Sequence, residues 1–233
     1  MTRTPRRHEL PDLAPLIDQA LLDPMLSSER LQEGCDAARN FGFGGLCTTL
    51  THLSAARERL GAPGATRLIA VIAFPFGAIP TPLKLAEAEW AAAHGAEALD
   101  VVPNLAALAD GCSDAYAEEL ASLCSLGLPV TVILDMARFN DSQLALAVEA
   151  AIDAGAAALQ TSNGFGPATS AGQIQQLRSL SRGRCGLKAA GGVHSLEQCE
   201  RLLEAGATAL GTSSGPQLIQ ALRTPRPSSS DDG

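Results

Sequence analysis

The chain has 233 residues, of which 46% are hydrophobic and 18% are charged, so it can bury a sizeable core and is not globally disordered. Its formal net charge is −8 and only 3% of its residues are aromatic, which argues against a nucleic-acid-binding protein. No apolar run approaches the roughly 20 residues that a membrane-spanning helix needs, and the basic segment 1–8 lacks the apolar stretch of a secretory signal. We therefore expect neither a nucleic-acid partner nor a membrane association.

The six cysteines are scattered through the chain. They form no Cys-x-x-Cys pair and no spacing with histidine that is typical of a zinc site, so no metal is expected. Their mostly apolar neighbours suit reduced thiols and predict a cytoplasmic protein.

Short apolar runs alternate along the chain with amphipathic stretches rich in Ala, Leu and Glu, which is typical of repeated βα units. Residues 1–12 are predicted to be an arm or a short helix, and residues 224–233 a disordered tail. The runs predict strands near residues 14–18, 45–49, 68–74, 98–103, 129–135, 157–162, 186–190 and 208–212. Helices are predicted near residues 28–40, 52–60, 82–94, 114–125, 141–154, 170–181, 195–205 and 215–223.

A repeated segment supports one domain over residues 13–223. His94–Asp100, Ala154–Gln160 and Ala205–Gly211 each contain a glycine that ends a helix and a run that enters a strand. The segments start 60 and 51 residues apart, at positions 94, 154 and 205, which matches two βα units in each interval. Eight such units form a (β/α)8 barrel. An open doubly wound sheet is disfavoured because no Gly-x-Gly-x-x-Gly turn follows the first strand.

The C-terminal ends of the strands carry the chemistry of a (β/α)8 barrel, and three carboxylates and a lysine are predicted there. Lys188 follows an apolar run and is one of only two lysines in the chain, which suggests either a reactive amine or an amine that places a positive charge in the site. Asp100 is either a proton-transfer carboxylate or a structural partner of Lys188. The other lysine, Lys84, is expected to pair with Glu87 one helical turn further on.

Two glycine-rich turns at successive strand ends suit a phosphate group. They are Gly191–Val193 and Gly211–Gly215, where small residues let the backbone approach, hydroxyls donate and a helix N-terminus follows. Phe74–Gly77 is expected either to line a pocket at the C-terminal ends of the strands or to form a turn of the chain.

Together these segments resemble the 2-deoxyribose-5-phosphate aldolase family over about residues 13–220. The similar segments are Ile17-Asp18, Leu46-Cys47, Ile72–Gly77, Gly95–Val102, Gly164–Gly166, Gly186–Val193 and Gly211–Gly215. The resemblance implies a (β/α)8 class I aldolase that makes or breaks carbon–carbon bonds through a lysine imine, without a metal or other cofactor. It also implies that Asp100 relays protons and that Lys188 lowers the pKa of the imine-forming lysine. The residues that would hold a phosphate are Gly164, Gly191, Gly192, Ser213 and Ser214.

The imine-forming lysine of this pattern is absent. The family reads Lys-Thr-Ser-Thr-Gly after the sixth strand, whereas this chain reads Gln160-Thr-Ser-Asn-Gly164, and a carboxamide cannot form a Schiff base. Further departures from the family pattern lie at the C-terminal ends of the strands, which form the mouth of the barrel. They are Asp23 in place of lysine, Thr48-Thr49 in place of Val-Asn, Asp135 in place of glutamate and His194 in place of arginine. Substitutions concentrated at the mouth of a retained scaffold predict altered chemistry and argue against ordinary deoxyribose-5-phosphate cleavage.

Three interpretations follow. In the first, Lys188 is the imine nucleophile with a pKa lowered by burial, Asp100 moves protons, and Gln160 donates a hydrogen bond to an oxyanion or the substrate. In the second, no imine forms, and a charged Lys188 stabilises an enolate or phosphate while Asp100 is the base of an isomerase or cyclase. In the third, the barrel is catalytically inactive and binds a sugar phosphate or a partner protein.

The expected ligand is a small carbonyl compound, with or without a phosphate group. The residues expected to contact it, besides those named for catalysis and phosphate binding, are Asp18, Cys47, Asn104, Asp135, Asn163 and His194. A homodimer is one option for the assembly.

Overall fold

The computed structural model describes residues 11–223, and these form a closed barrel of eight parallel strands. Each strand pairs with the next one in sequence, and β8 pairs with β1 to close the ring. The strands are β1 (Ile17–Leu21), β2 (Gly45–Thr48), β3 (Arg67–Ile72), β4 (Ala98–Val101), β5 (Val130–Ile133), β6 (Ala158–Gln160), β7 (Gly186–Ala190) and β8 (Ala209–Thr212). The predicted (β/α)8 fold is confirmed.

Helices surround the barrel and cover the outer faces of the strands. They are α1 (Ser28–Phe41), α2 (Leu50–Leu60), α3 (Thr81–Ala93), α4 (Leu105–Ala109), α5 (Ser113–Cys124), α6 (Asp141–Asp153), α7 (Ala171–Ser181), α8 (Leu196–Ala205) and α9 (Gly215–Arg223). The β2 and β4 strands are buried along their whole length because one face meets the helices and the other the barrel interior. None of the described helices is long and apolar enough to cross a membrane.

The first strand begins later than predicted. Residues Ala14–Leu16 form a 3-10 turn, in which the Leu16 N–H donates to the Leu13 carbonyl at 3.0 Å. Pro15 favours this turn because its fixed φ suits the start of a helix and it has no N–H for a strand ladder. Asp18 is therefore the second residue of β1, deeper in the barrel than a residue at the strand's C-terminal end.

The short helix α4 was not predicted. It has five residues, too few for a helical period in the sequence, and it starts where the Asn104 side chain accepts a hydrogen bond from the Ala107 N–H at 3.2 Å. The predicted N-terminal arm is described only from residue 11, where no helix forms before Ala14. Residues 1–10 and the predicted tail, 224–233, lie outside the described residues.

The expected pairing of Lys84 with Glu87 is wrong. Lys84 is fully buried, and its Nζ donates to Glu119 Oε1 on α5 at 2.8 Å. Glu87 instead accepts the N–H of Ala73 at 2.7 Å. The prediction used spacing along one helix, whereas α3 turns both side chains toward neighbouring elements of the barrel.

Candidate active site

A cavity of about 450 Å³ opens at the C-terminal ends of the strands, and its size suits a small ligand. It contains most of the residues that the sequence predicted for the site. Those that line it are Asp18, Cys47, Asp100, Gln160, Asn163, Gly164, Lys188, Gly191, Gly192, His194 and Ser213. Apolar side chains from several strands and loops complete the wall, among them Leu26, Val71, Phe74 and Ile133.

Lys188 lies between two carboxylates. Its Nζ donates to Asp100 Oδ2 at 2.6 Å and lies 2.7 Å from Asp18 Oδ2. All three side chains are buried, with Lys188 only 4% exposed. The group carries two negative charges and one positive charge, so it is a net anionic cluster in a place where water is scarce.

Two glycines make room for this cluster. A Cβ at Gly45, the β2 residue in register with Asp18, would lie 2.4 Å from Asp18 Oδ1. A Cβ at Gly211 on β8 would lie 3.2 Å from Lys188 Cε and 2.9 Å from the Cβ of Ala190. Neither position tolerates a larger side chain without moving the charged groups.

The first interpretation requires a lowered pKa of Lys188, and the two neighbouring carboxylates oppose it. Burial alone lowers the pKa of Lys188, but the charges of Asp100 and Asp18 outweigh it and raise the pKa well above the usual lysine value. The sequence could show that an amine enters the barrel, but not that two carboxylates would both lie within contact distance of it. The geometry therefore favours the ammonium form of Lys188.

Cys47 extends the cluster on the side of β2. Its thiol donates to Asp100 Oδ2 at 3.5 Å. Burial, reinforced by the charge of Asp100, raises the pKa of Cys47 well above the usual thiol value. The thiol is therefore neutral and acts here as a hydrogen-bond donor rather than as a nucleophile.

Gln160 stands next to Lys188 in the barrel, since the two are register partners on β6 and β7. Its Nε2 donates to the Ser162 carbonyl at 2.7 Å, which fixes the orientation of the carboxamide. Its Oε1 is buried and has no hydrogen-bond partner among the described residues. One N–H of the Gln160 carboxamide is thus used within the chain, which leaves its second N–H and the unpartnered acceptor Oε1 for a ligand, so the predicted donation to an oxyanion or substrate stays a prediction.

Three predicted residues do not line the cavity. Asn104 caps α4, and Ser214 Oγ lies 3.0 Å from Nδ1 of His194 at the rim. Asp135 pairs with Arg138 and lies 3.4 Å from Asn163 Nδ2. Asn163 also donates to the Pro75 carbonyl at 2.8 Å, so Asp135 contacts a residue that lines the cavity without lining the cavity itself.

The two turns that were predicted to bind a phosphate differ in how many of their backbone N–H groups already make hydrogen bonds within the chain. Gly191 and Gly192 have φ of 95° and 70°, a conformation that favours glycine, and both line the cavity. In the turn after β8, the Ser214 N–H already donates to Thr212 Oγ1 at 2.9 Å and the Gly215 N–H to Gln19 Oε1 at 3.0 Å. Of the two turns, Gly191–Gly192 is the one better suited to an anion.

Sequence reasoning missed several residues of the site. Arg30 and Phe165 line the cavity, and Arg30 pairs with Asp23 at the rim at 3.1 Å. Gln19 is buried outside the cavity and holds the β8–α9 turn, donating to the Ser213 carbonyl at 3.0 Å. Phe165 lies in the loop after β6, directly after the predicted strand-end segment Gln160–Gly164, whereas Arg30 is on α1 and follows no strand directly.

Comparisons with known proteins agree with this fold. No protein-family model matches the chain. The deoxyribose-phosphate aldolase of Microcystis aeruginosa is 39% identical over 210 residues, which cover 90% of this chain and 93% of the relative. The deoxyribose-phosphate aldolase of Trichormus variabilis is 38% identical over 215 residues, which cover 92% of this chain and 95% of the relative.

Solved structures give the same result. The aldolase QR15 superposes with a TM-score of 0.86 at 32% identity, covering 91% of this chain and 96% of that protein. The deoxyribose phosphate aldolase of Aeropyrum pernix, which is tetrameric, superposes with a TM-score of 0.83 at 31% identity and covers 91% of both chains. Fold and similarity define an aldolase-like carbon–carbon lyase on a (β/α)8 barrel. The chain belongs to the deoxyribose-phosphate aldolase family.

Proposed function

We propose that the chain makes or breaks the carbon–carbon bond of a small hydroxylated aldehyde or ketone through an enolate, with Lys188 remaining an ammonium. The observation that carries this proposal is the position of Lys188 Nζ, 2.6 Å from Asp100 Oδ2 and 2.7 Å from Asp18 Oδ2. Two carboxylates at these distances favour the charged amine, and a charged amine has no lone pair with which to attack a carbonyl.

Asp100 is the proposed base. In the cleavage direction its carboxylate takes the proton of the β-hydroxyl group, the bond between the α and β carbons breaks, and the electron pair moves to the carbonyl oxygen as an enolate. Protonation removes the charge of Asp100, so an N–H of Lys188 is released to the enolate oxygen while Asp18 keeps the ammonium in place. Asp100 then returns its proton to the α carbon, and the charge of the site is the same at the end as at the start.

Gln160 is the proposed acceptor for a hydroxyl group of the substrate. A buried acceptor without a partner costs roughly 1–3 kcal/mol, which a donor on the ligand recovers. The unpartnered Oε1 of Gln160 belongs to a side chain that lines the cavity beside Lys188. A hydroxyl held there lies near the reacting carbons, which favours hydroxylated over plain carbonyl substrates.

A phosphate group on the substrate is proposed to bind at Gly191 and Gly192. The charge of the cavity gives it little help, since three carboxylates and two cations line the wall when His194 is neutral. The carboxylates are Asp18, Asp23 and Asp100, and the cations are Arg30 and Lys188. We therefore propose that a phosphate is accepted but not required.

An imine on Lys188 is the second candidate mechanism, and one observation favours it. Lys188 is the only lysine among the residues that line the cavity, and Asp100 Oδ2 is 2.6 Å away to accept its proton. Converting an ammonium and a ketone to a protonated imine and water conserves charge, so the carboxylates oppose the formation of the free amine but not the intermediate itself.

One experiment separates these mechanisms. We expect the protein to exchange the α protons of acetaldehyde with D2O, and Asp100→Asn to slow the exchange by about 10²–10⁴-fold because the base is lost. Borohydride added during exchange should leave no mass increment on the Lys188 peptide. An increment there would replace the enolate mechanism by the imine, and exchange no faster than in buffer would mean that the barrel only binds its ligand.

A second prediction concerns the substrate hydroxyl. The measurement is the ratio of affinities for 3-hydroxybutanal and butanal, which differ only in that group. We expect Gln160→Met to lower this ratio by about tenfold, the equivalent of one hydrogen bond. Ser162→Ala is the matched control, because it alters the cavity wall but keeps the backbone carbonyl that orients Gln160. An unchanged ratio in Gln160→Met would contradict the role of the carboxamide without affecting that of Lys188.

A further inference from the structure

A second buried ion pair lies outside the cavity, between helices α3 and α5. Lys84 Nζ donates to Glu119 Oε1 at 2.8 Å, and the two residues are 0% and 2% exposed. Burying two charges is costly, and apolar side chains of the same volume would often stabilise a fold as well. Stability alone therefore does not explain the pair, and its other hydrogen bonds indicate its role.

Both members of the pair bind the segment that follows strand β4. Lys84 Nζ donates to the Val102 carbonyl at 3.1 Å, and Glu119 Oε1 accepts the Asn104 N–H at 2.7 Å. The second oxygen of Glu119 accepts the Thr81 hydroxyl at 2.6 Å, which ties the carboxylate to the start of α3. The pair thus binds the Val102 carbonyl and the Asn104 N–H, in a segment that begins two residues after Asp100.

The same segment is held on its other side by strand β3 and its loop. The Val102 N–H donates to the Ile72 carbonyl at 3.1 Å. A Cβ at Gly77 would lie only 2.3 Å from the Pro103 carbonyl oxygen, so the two loops are in close contact. With both sides fixed, the end of β4 has little freedom to slide or turn.

We propose that the Lys84–Glu119 pair positions Asp100 against Lys188 by fixing the Val102 carbonyl and the Asn104 N–H. Lys84 and Glu119 are positioning residues in this proposal, since neither lines the cavity. A displacement of about 1 Å at a catalytic group can slow a reaction about 10²-fold. The consequence for catalysis rests on the proposed function, whereas the effect on the contact between Asp100 and Lys188 does not.

The test uses the fact that the chain has only two lysines, Lys84 and Lys188. Labelling lysine with ¹³C at Cε gives two signals, which single substitutions to methionine assign. In Glu119→Gln we expect the Lys188 signal to shift and to titrate at a lower pH than in the parent, because a displaced Asp100 holds the ammonium less well. Exchange of acetaldehyde α protons should fall at least tenfold in kcat, with KM little changed.

Two controls separate positioning from loss of stability. Tyr116 is on the same helix as Glu119, and Tyr116→Phe removes a buried hydroxyl that has no hydrogen-bond partner within residues 11–223, whereas Leu177→Ala weakens the core on α7. Neither should move the Lys188 signal. If Glu119→Gln does not fold, the double substitution Lys84→Met with Glu119→Gln, which leaves no unpaired charge, takes its place. A Lys188 signal and titration identical to the parent's in a folded variant would overturn the proposal, whatever the activity.

Discussion

Replacing Lys188 with methionine is expected to have the largest effect of any single substitution at the site. Loss of the ammonium removes the donor for the enolate oxygen and should lower the rate of α-proton exchange by about 10²–10³-fold. It also leaves Asp18 and Asp100 as uncompensated buried carboxylates, which should lower the free energy of unfolding by about 3–5 kcal/mol. The measurements are deuterium incorporation into acetaldehyde and denaturant unfolding at neutral pH.

The control for this variant separates the two effects. Adding Asp18→Asn to Lys188→Met removes one of the unpaired charges and should recover part of the stability without restoring activity. Full activity in the single variant would contradict every mechanism that involves Lys188, enolate or imine.

Placing an amine at position 160 is expected to change the chemistry of the barrel. In Gln160→Lys the new amine faces the ammonium of Lys188 on the neighbouring strand, since the two positions are register partners. Burial and a like charge both lower the pKa of such an amine and favour its nucleophilic form. Borohydride with acetaldehyde should therefore leave one increment per chain on the peptide that contains residue 160.

Gln160→Met is the matched control for this experiment, because it has a similar length and no amine. It should leave no increment on that peptide. If Gln160→Lys is folded but forms no adduct, an amine at position 160 is not sufficient for imine formation in this cavity.

Much of the fold could be predicted from the sequence because βα units repeat and both faces of each strand are buried. The glycines at positions 95, 155 and 206 mark helix ends followed by strands, and all three have positive φ. The errors are local. Pro15 shifts the start of β1, and α4 is too short for a helical period, so its Asn104 cap was taken for a site residue.

The sequence predicted which residues line the site better than it predicted their ion pairs and pKa shifts. Because the C-terminal ends of the strands meet at one end of the barrel, Lys188 and Asp100 were correctly predicted to share one cavity. Asp135 was predicted there too, but it pairs with Arg138 and does not line the cavity. The direction of the Lys188 pKa shift depends on two carboxylates from β1 and β4, and no local pattern gives their distances. Lys84 was missed for the same reason, since Glu119 lies 35 residues away in the chain.

The titration of the two lysines in ¹³Cε-labelled protein tests the central claim most directly. The charges of Asp100 and Asp18 raise the pKa of Lys188 despite its burial, whereas burial lowers the pKa of Lys84 more than Glu119 raises it. We predict that the Lys84 signal titrates below about 10.4, the usual lysine value, and that the Lys188 signal stays that of an ammonium beyond it. A Lys188 signal that titrates at or below this value would show that the two carboxylates do not raise the pKa of Lys188, and a signal that titrates near neutral pH would show that the enolate mechanism is wrong.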